Sequence, residues 1–137
     1  MATSKASATK RSVRSSATII EEIRKGFEWE RVERFQKIYG LKDERVARII
    51  GLSDRTLTRH RKGREPLDSV ASDRFYRARR IIELATTVFE DKDEAMRWLR
   101  RPQPGLAGMI PLEILDTEPG SHAVQALLTQ IEYGVLP

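Results

Sequence analysis

The stretch Asp43-Glu44-Arg45-Val46-Ala47-Arg48-Ile49-Ile50-Gly51-Leu52-Ser53-Asp54-Arg55-Thr56-Leu57-Thr58-Arg59-His60-Arg61-Lys62 decides how this chain folds. Two helices that cross closely through a tight turn need a small residue in the first helix. They also need a glycine four residues later and an apolar residue on the second helix that packs back. Ala47, Gly51 and Leu57 stand at those places. The first helix is expected from Asp43 to Ile50, with Val46, Ala47 and Ile50 inward and Asp43 and Glu44 at its start, where the helix dipole favours acids. Ser53 is a natural N-cap for a second helix running from Asp54 to about Arg61. Three residues after Leu57, where an aliphatic side chain is usual, stands His60, read as a partly buried packing residue. The spacing predicts a helix-turn-helix.

With Leu52, Leu57 and His60 inward, the outward set is Asp54, Arg55, Thr58, Arg59 and Lys62. Docked N-terminus first into a major groove, such a helix brings Arg55 and Thr58 to base edges with Arg59 beside them. Ser53 and Thr56 flank that end, while Arg61, Lys62 and Arg64 at the far end suit phosphate. The competing reading is an ordinary solvated basic helix.

Working outward, Trp29 to Tyr39 is amphipathic, with Val32, Phe35, Ile38 and Tyr39 as its inward face and Gly40 at its end. Ile19-Ile20 is a short apolar pair that could pair or dock. Residues 1–18 are rich in Ser, Thr and Ala, carry Lys5, Lys10, Arg11 and Arg14 without an acid, and read as a disordered basic tail. Downstream, Pro66 to Ala71 is the expected joint, and Ser72 the expected cap of a helix from Asp73 to Phe89. Its apolar stripe (Phe75, Ala78, Ile82, Ala85 and Phe89, widened by Ile81, Leu84 and Val88) is too broad for one covering partner. Burial on two sides follows, in the chain's own core or in a homodimer. Asp91 and Glu94 fit a capping box for a short helix with Ala95, Trp98 and Leu99 inward. Pro111 starts a further turn, and Thr117 opens a final helix whose stripe is Val124, Leu127, Leu128 and Ile131.

Charge divides the chain. Residues 1–66 hold 17 Lys plus Arg against 9 Asp plus Glu, while residues 67–137 hold 8 against 11. From Pro102 onward there is no Lys or Arg at all. A basic front suits a polyanion, and an acidic back suits a positive protein surface. The absence of cysteine removes disulfide, zinc-thiolate and thiol chemistry. No apolar run approaches the roughly 18 residues of a membrane span, and the cytoplasm is the expected location.

An ordered series now carries a resemblance. Val88-Phe89-Glu90-Asp91, Ala95, Trp98-Leu99, Pro102, Leu106, Gly108, Pro111-Leu112, Leu115, Gly120, Val124, Leu128 and Ile131-Glu132-Tyr133-Gly134-Val135 resemble the C-terminal domain of the Xre/MbcA/ParS antitoxins. Gly51, Ser53, Arg55-Thr56-Leu57 and Arg59 resemble their Xre-type DNA-binding part. Together the likeness covers about Ile19 to Leu136. It implies an all-α fold, with an Xre-like helix-turn-helix subdomain (19–66) followed by a small helical subdomain for dimerisation and toxin binding (67–137). The resemblance further implies an antitoxin that neutralises a RES-domain toxin, an ADP-ribosyltransferase-like protein that degrades NAD, by blocking its cleft. It also implies repression of the shared operon through operator DNA. On that reading Tyr133, Gly134, Val135 and Leu136 plug the partner's cleft, and Glu113, Glu118 and Glu132 steer it. The alternative is a stand-alone transcription regulator whose C-terminal part only dimerises.

Catalysis finds little support. No Ser/His/Asp set stands at a credible spacing, no glycine-rich phosphate loop follows a strand, and His122 beside Ser121 reads as surface at a helix start. No cofactor is expected.

Overall fold

A computed structural model describes residues 15–134. The expectations for residues 1–14, and for Val135 and Leu136 as contacts, lie outside the described residues. Seven α-helices and two short 3-10 turns follow one another, with no strand among the described residues. They are α1 (residues 15–25), α2 (Trp29–Tyr39), α3 (Asp43–Ile50), α4 (Asp54–Gly63), α5 (Ser69–Phe89), α6 (Lys92–Leu99), η1 (Pro104–Leu106), η2 (Pro111–Ile114) and α7 (Glu118–Glu132). Residues 15–18, expected within the tail, already belong to α1. Ile19 on that helix is half-buried against the core, and Ile20 is exposed. Arg31 Nη1 donates to Glu22 at 2.9 Å, tying α1 to α2. That hydrogen bond holds the Glu22 carboxyl below its ordinary pKa.

α2 buries Trp29, Val32 and Phe35. Ile38, expected inward, is 49% exposed. The reason is phase: at about 100° per residue, Ile38 lies half a turn round from Trp29, and the fully buried indole fixes which face points in. Phe27, Phe35 and Phe75 then meet edge to face, with centroids 5.7 and 5.4 Å from Phe75.

α5 is the wall shared by both halves. Its cap is Asp68, whose side chain accepts from the Ala71 N–H at 2.8 Å, so the helix starts earlier than Ser72 and Asp73 suggested. Ser72 is instead fully buried, and its Oγ accepts the Phe27 N–H at 2.9 Å. A buried hydroxyl acting as acceptor for an otherwise orphaned backbone donor removes a desolvation cost of about 1–3 kcal/mol. The Leu67 N–H donates to the Phe27 carbonyl at 2.9 Å in the same joint. This close approach needs Gly26: its φ is +96°, and a Cβ there would stand 2.0 Å from the Leu67 carbonyl oxygen.

Most of the broad stripe of α5 is covered by its own chain, with Leu84, Val88 and Phe89 half-buried at its edge. Ile81, Ile82 and Ala85 are buried in one continuous core that includes Val46, Ile49 and Ile50 from α3. The same core takes Ala95, Met96 and Leu99 from α6 and Val124, Leu127 and Leu128 from α7. The chain's own core thus accounts for most of the breadth. Asp91 caps α6 by accepting from Asp93 and Glu94 N–H groups. Glu94, expected to reach back as the other half of a capping box, pairs with Arg97 one turn on. Thr117 caps α7 by accepting from the Gly120 N–H at 3.0 Å, and the buried Ser121 hydroxyl donates to the Leu115 carbonyl. Both set the angle at which the last helix returns to α5.

Candidate functional site

The turn of the helix-turn-helix is built as its spacing demands. Gly51 is left-handed at φ 73°, and its N–H donates to the Ala47 and Arg48 carbonyls that end α3. The Leu52 N–H follows, bonding the Ala47 carbonyl at 2.9 Å. Ala47, Leu57 and Ile50 are buried, which seats α4 on α3. Ser53 caps α4: its Oγ accepts the Thr56 N–H at 3.1 Å and contacts Thr56 Oγ1 at 2.9 Å. Thr58 Oγ1 donates to the Asp54 carbonyl at 2.9 Å. The Ser53 cap stabilises the exposed first turn of α4, and all three hydroxyls are engaged locally.

The cations on α4 separate into two kinds. Arg55 and Lys62 are exposed and make no ion pair among the described residues. Arg59 lies 3.9 Å from Glu65 in the open, a contact worth little in water. Arg61 is committed inward: Nη1 donates to Asp43 Oδ2 at 2.6 Å while Nη2 reaches the other oxygen. Gln36 Nε2 donates to the same carboxylate at 2.6 Å. The Arg61 bond, helped by Gln36, holds the Asp43 pKa down to about 2, and Asp43 in turn raises that of Arg61. Arg64 pairs with Glu33 at 3.1 Å, which lowers the Glu33 pKa, and Glu33 also accepts from the Trp29 indole N–H at 3.3 Å. His60 is buried at 8% exposure, stacked on Trp29 at 6.1 Å, with Nδ1 3.1 Å from the Glu65 carbonyl. It fills the aliphatic position as a flat packing group with one polar edge satisfied.

The acidic set is not one patch. Glu113 sits on η2, 3.7 Å from Arg45 of α3, and so faces the helix-turn-helix. Glu118 opens α7 and Glu132 closes it, about 21 Å apart at 1.5 Å per residue. Tyr133, 75% exposed, and Gly134, left-handed at φ 69°, extend the far end. α7 carries no Lys or Arg to oppose them.

Charged residues that the sequence reading passed over line a cleft of about 740 Å³ between the two halves. Lys42, Arg45 and Arg48 come from α3 and its approach, and Arg100 comes from the end of α6. The pattern on α3 offered a signal for Arg45 and Arg48. Nothing local places Arg100 beside them. Among the described residues no group of three or more His, Cys, Asp or Glu could hold a metal ion, and no helix is long and apolar enough to cross a membrane.

A helix-turn-helix joined to a cation-free helical end, with every described element helical, defines a class of small two-part helix-turn-helix proteins. Residues 18–80 match the antitoxin Xre-like helix-turn-helix domain, and residues 84–134 match the antitoxin Xre/MbcA/ParS C-terminal toxin-binding domain. The two together cover more than half of the chain, which belongs to the Xre/MbcA/ParS-type antitoxin family. They meet within α5, the shared wall. The chain is 35% identical over 92 residues to "Antitoxin Xre" of Photorhabdus laumondii subsp. laumondii, covering 66% of this chain and 62% of the relative. It is 35% identical over 80 residues to "Antitoxin Xre" of Pseudomonas putida, covering 58% and 50%. The matched region thus spans between half and two thirds of those relatives' lengths. A "Prs ADP-ribosylating antitoxin" of a Sphingobium species is 25% identical over 121 residues, covering 82% and 76%.

Proposed function

We propose that this protein is an antitoxin that neutralises an NAD-consuming, RES-domain toxin by occupying its cleft, and that represses its own operon. The observation that carries the reading is the division of charge over one continuous core. The exposed face of α4 is cationic, whereas from Pro102 to the end there is no cation at all. A cleft that binds a dinucleotide needs positive charge for its phosphates, and an end without Lys or Arg meets such a cleft without like-charge repulsion. The name of the Sphingobium relative supports the partner class, because ADP-ribosylation draws on NAD.

In this reading Arg55, Thr58 and Arg59 meet base edges at the operator, and Lys62 meets phosphate. Ser53 and Thr56 hold the helix start that presents them. Arg61 and Arg64, bound to Asp43 and Glu33, act first as braces of α4 and lend only long-range field to phosphate. At the other end Tyr133 and Gly134, with Val135 and Leu136, enter the toxin's cleft, while Glu113, Glu118 and Glu132 steer the approach. A homodimer would place two copies of α4 on a two-fold operator, and analytical ultracentrifugation of the free chain tests it.

The test of the function is co-expression with a RES-domain protein encoded beside this chain, measuring growth, cellular NAD and co-purification together. The neighbour alone is expected to stop growth and deplete NAD, and this chain to restore both within a stable complex. Normal growth with no complex would leave a DNA-binding regulator without a toxin partner.

A further inference from the structure

The cleft beside α3 has chemistry that the reading above does not use. It lies between the two halves, where Gly40, Leu41 and Lys42 lead into α3, and Leu112 of η2 forms part of its wall. Four cations line it (Lys42, Arg45, Arg48 and Arg100) against two acids, Glu44 and Asp54. Lys42, Arg48 and Arg100 form no ion pair among the described residues. Arg100 is nevertheless fixed: its Nη2 donates to the Gly40 carbonyl at 3.1 Å and lies 3.4 Å from that of Tyr39. Backbone carbonyls orient the guanidinium without cancelling its charge. Arg45 differs, because Glu113 of η2 stands 3.7 Å away, just outside the cleft's lining.

Position identifies the anion. Asp54, the first residue of α4, forms part of the lining, so the cleft is continuous with the end of the helix that enters the groove. In a docked helix-turn-helix the first of the two helices crosses the phosphate backbone, and that helix here is α3. A groove open to solvent with a cationic excess beside it matches a duplex phosphodiester strand better than a buried small molecule.

We propose that this cleft is a second phosphate-binding surface for duplex DNA, completed by Arg100 from the C-terminal half and restrained by the Glu113 carboxylate on Arg45. The proposal rests on the DNA-binding reading and extends it to a residue outside the helix-turn-helix. The toxin-binding half then sets part of the DNA affinity directly.

The experiment is fluorescence anisotropy of the full chain on its own promoter duplex and on a scrambled duplex of equal length, over a salt series. Arg48→Gln and Arg100→Gln should each weaken both duplexes by the same factor, roughly three- to tenfold, and lower the salt slope by about 0.9. Glu113→Gln should tighten both and steepen the slope. Because Arg100 also holds Gly40, a thermal melt accompanies that variant; Arg48, exposed and outside any ion pair, keeps the test independent of folding. Wild-type slopes and affinities for both Arg variants, with Arg55→Ala still losing promoter preference, would overturn the cleft while leaving the helix-turn-helix reading intact. Loss of toxin co-purification with an unchanged salt slope would overturn it in favour of a protein-docking cleft. A wild-type chain that binds neither duplex would remove the reading and the proposal together.

Discussion

α4 and α7 are built alike and face the world differently. Each is capped by a hydroxyl residue, Ser53 or Thr117, and each packs apolar residues onto a common core. α4 ends in Arg61 and Lys62 and exposes Arg55 and Arg59. α7 has Glu118 at its start, Glu132 at its end and no Lys or Arg between. Framework and function are thus separable: burial fixes where a helix lies, and the sign of its exposed face fixes what it can meet. α5 joins the two by burying Phe75 toward the front and Ile82 and Ala85 beneath both halves.

The largest effect should come from that shared wall. Ile82→Ala leaves a cavity at a fully buried position and should cost about 2–5 kcal/mol. Trp29 reports on the front and Trp98 on the back, so single-tryptophan variants followed by fluorescence can watch the halves separately. Coincident melting, shifted equally in both, is expected. Two transitions, with only one shifted, would break the picture of one core. Gly26→Ala should follow at roughly 1–3 kcal/mol, since its Cβ would meet the Leu67 carbonyl and its φ of +96° is strained for any side chain. An unchanged denaturant midpoint would mean that the joint yields.

On the surface of α4 the expected effects are smaller and differ in kind. Arg55→Ala should lose about 1–3 kcal/mol of base discrimination, whereas Lys62→Ala should weaken all sequences evenly and flatten the salt slope by about 1. Equal losses for Arg55→Ala on promoter and scrambled DNA would contradict its place at base edges. Weakest of all is the brace. Asp43 titrates near 2 when folded against an ordinary 3.8, so its contribution is present above about pH 4 and is lost as pH falls toward 2. The pair is part-exposed, and solvent screening leaves about 1 kcal/mol at most. Asp43→Asn should remove that portion of the acid destabilisation, seen by comparing thermal melts between pH 5 and pH 2.

The front half was largely legible in the sequence. Ala47, Gly51, Ser53 and Leu57 are local requirements of one motif, and local spacing states them directly. Capping by Asp91 and Thr117 was legible for the same reason. Ile38 was misplaced because periodicity gives a stripe without its phase, and the buried Trp29 that sets the phase gains its meaning only from His60, thirty-one residues away. Ser72 read as a cap because Ser is good at both roles; only the fold brings the Phe27 N–H to it. The pairing of Arg61 with Asp43, and the meeting of Arg100 with Arg45 and Arg48, are products of tertiary structure. A run of basic residues in sequence cannot say which of them are already spoken for.

The most direct test of the division of labour is a crossed assay with the proposed RES-domain partner. Arg55→Ala and a chain ending at Glu132 would each be measured for promoter binding and for rescue of cellular NAD. Arg55→Ala is expected to lose promoter preference and keep full rescue, and the shortened chain to keep promoter binding and lose rescue. Loss of both activities in either variant, with folding intact, or full rescue by the shortened chain, would contradict the assignment of the two faces.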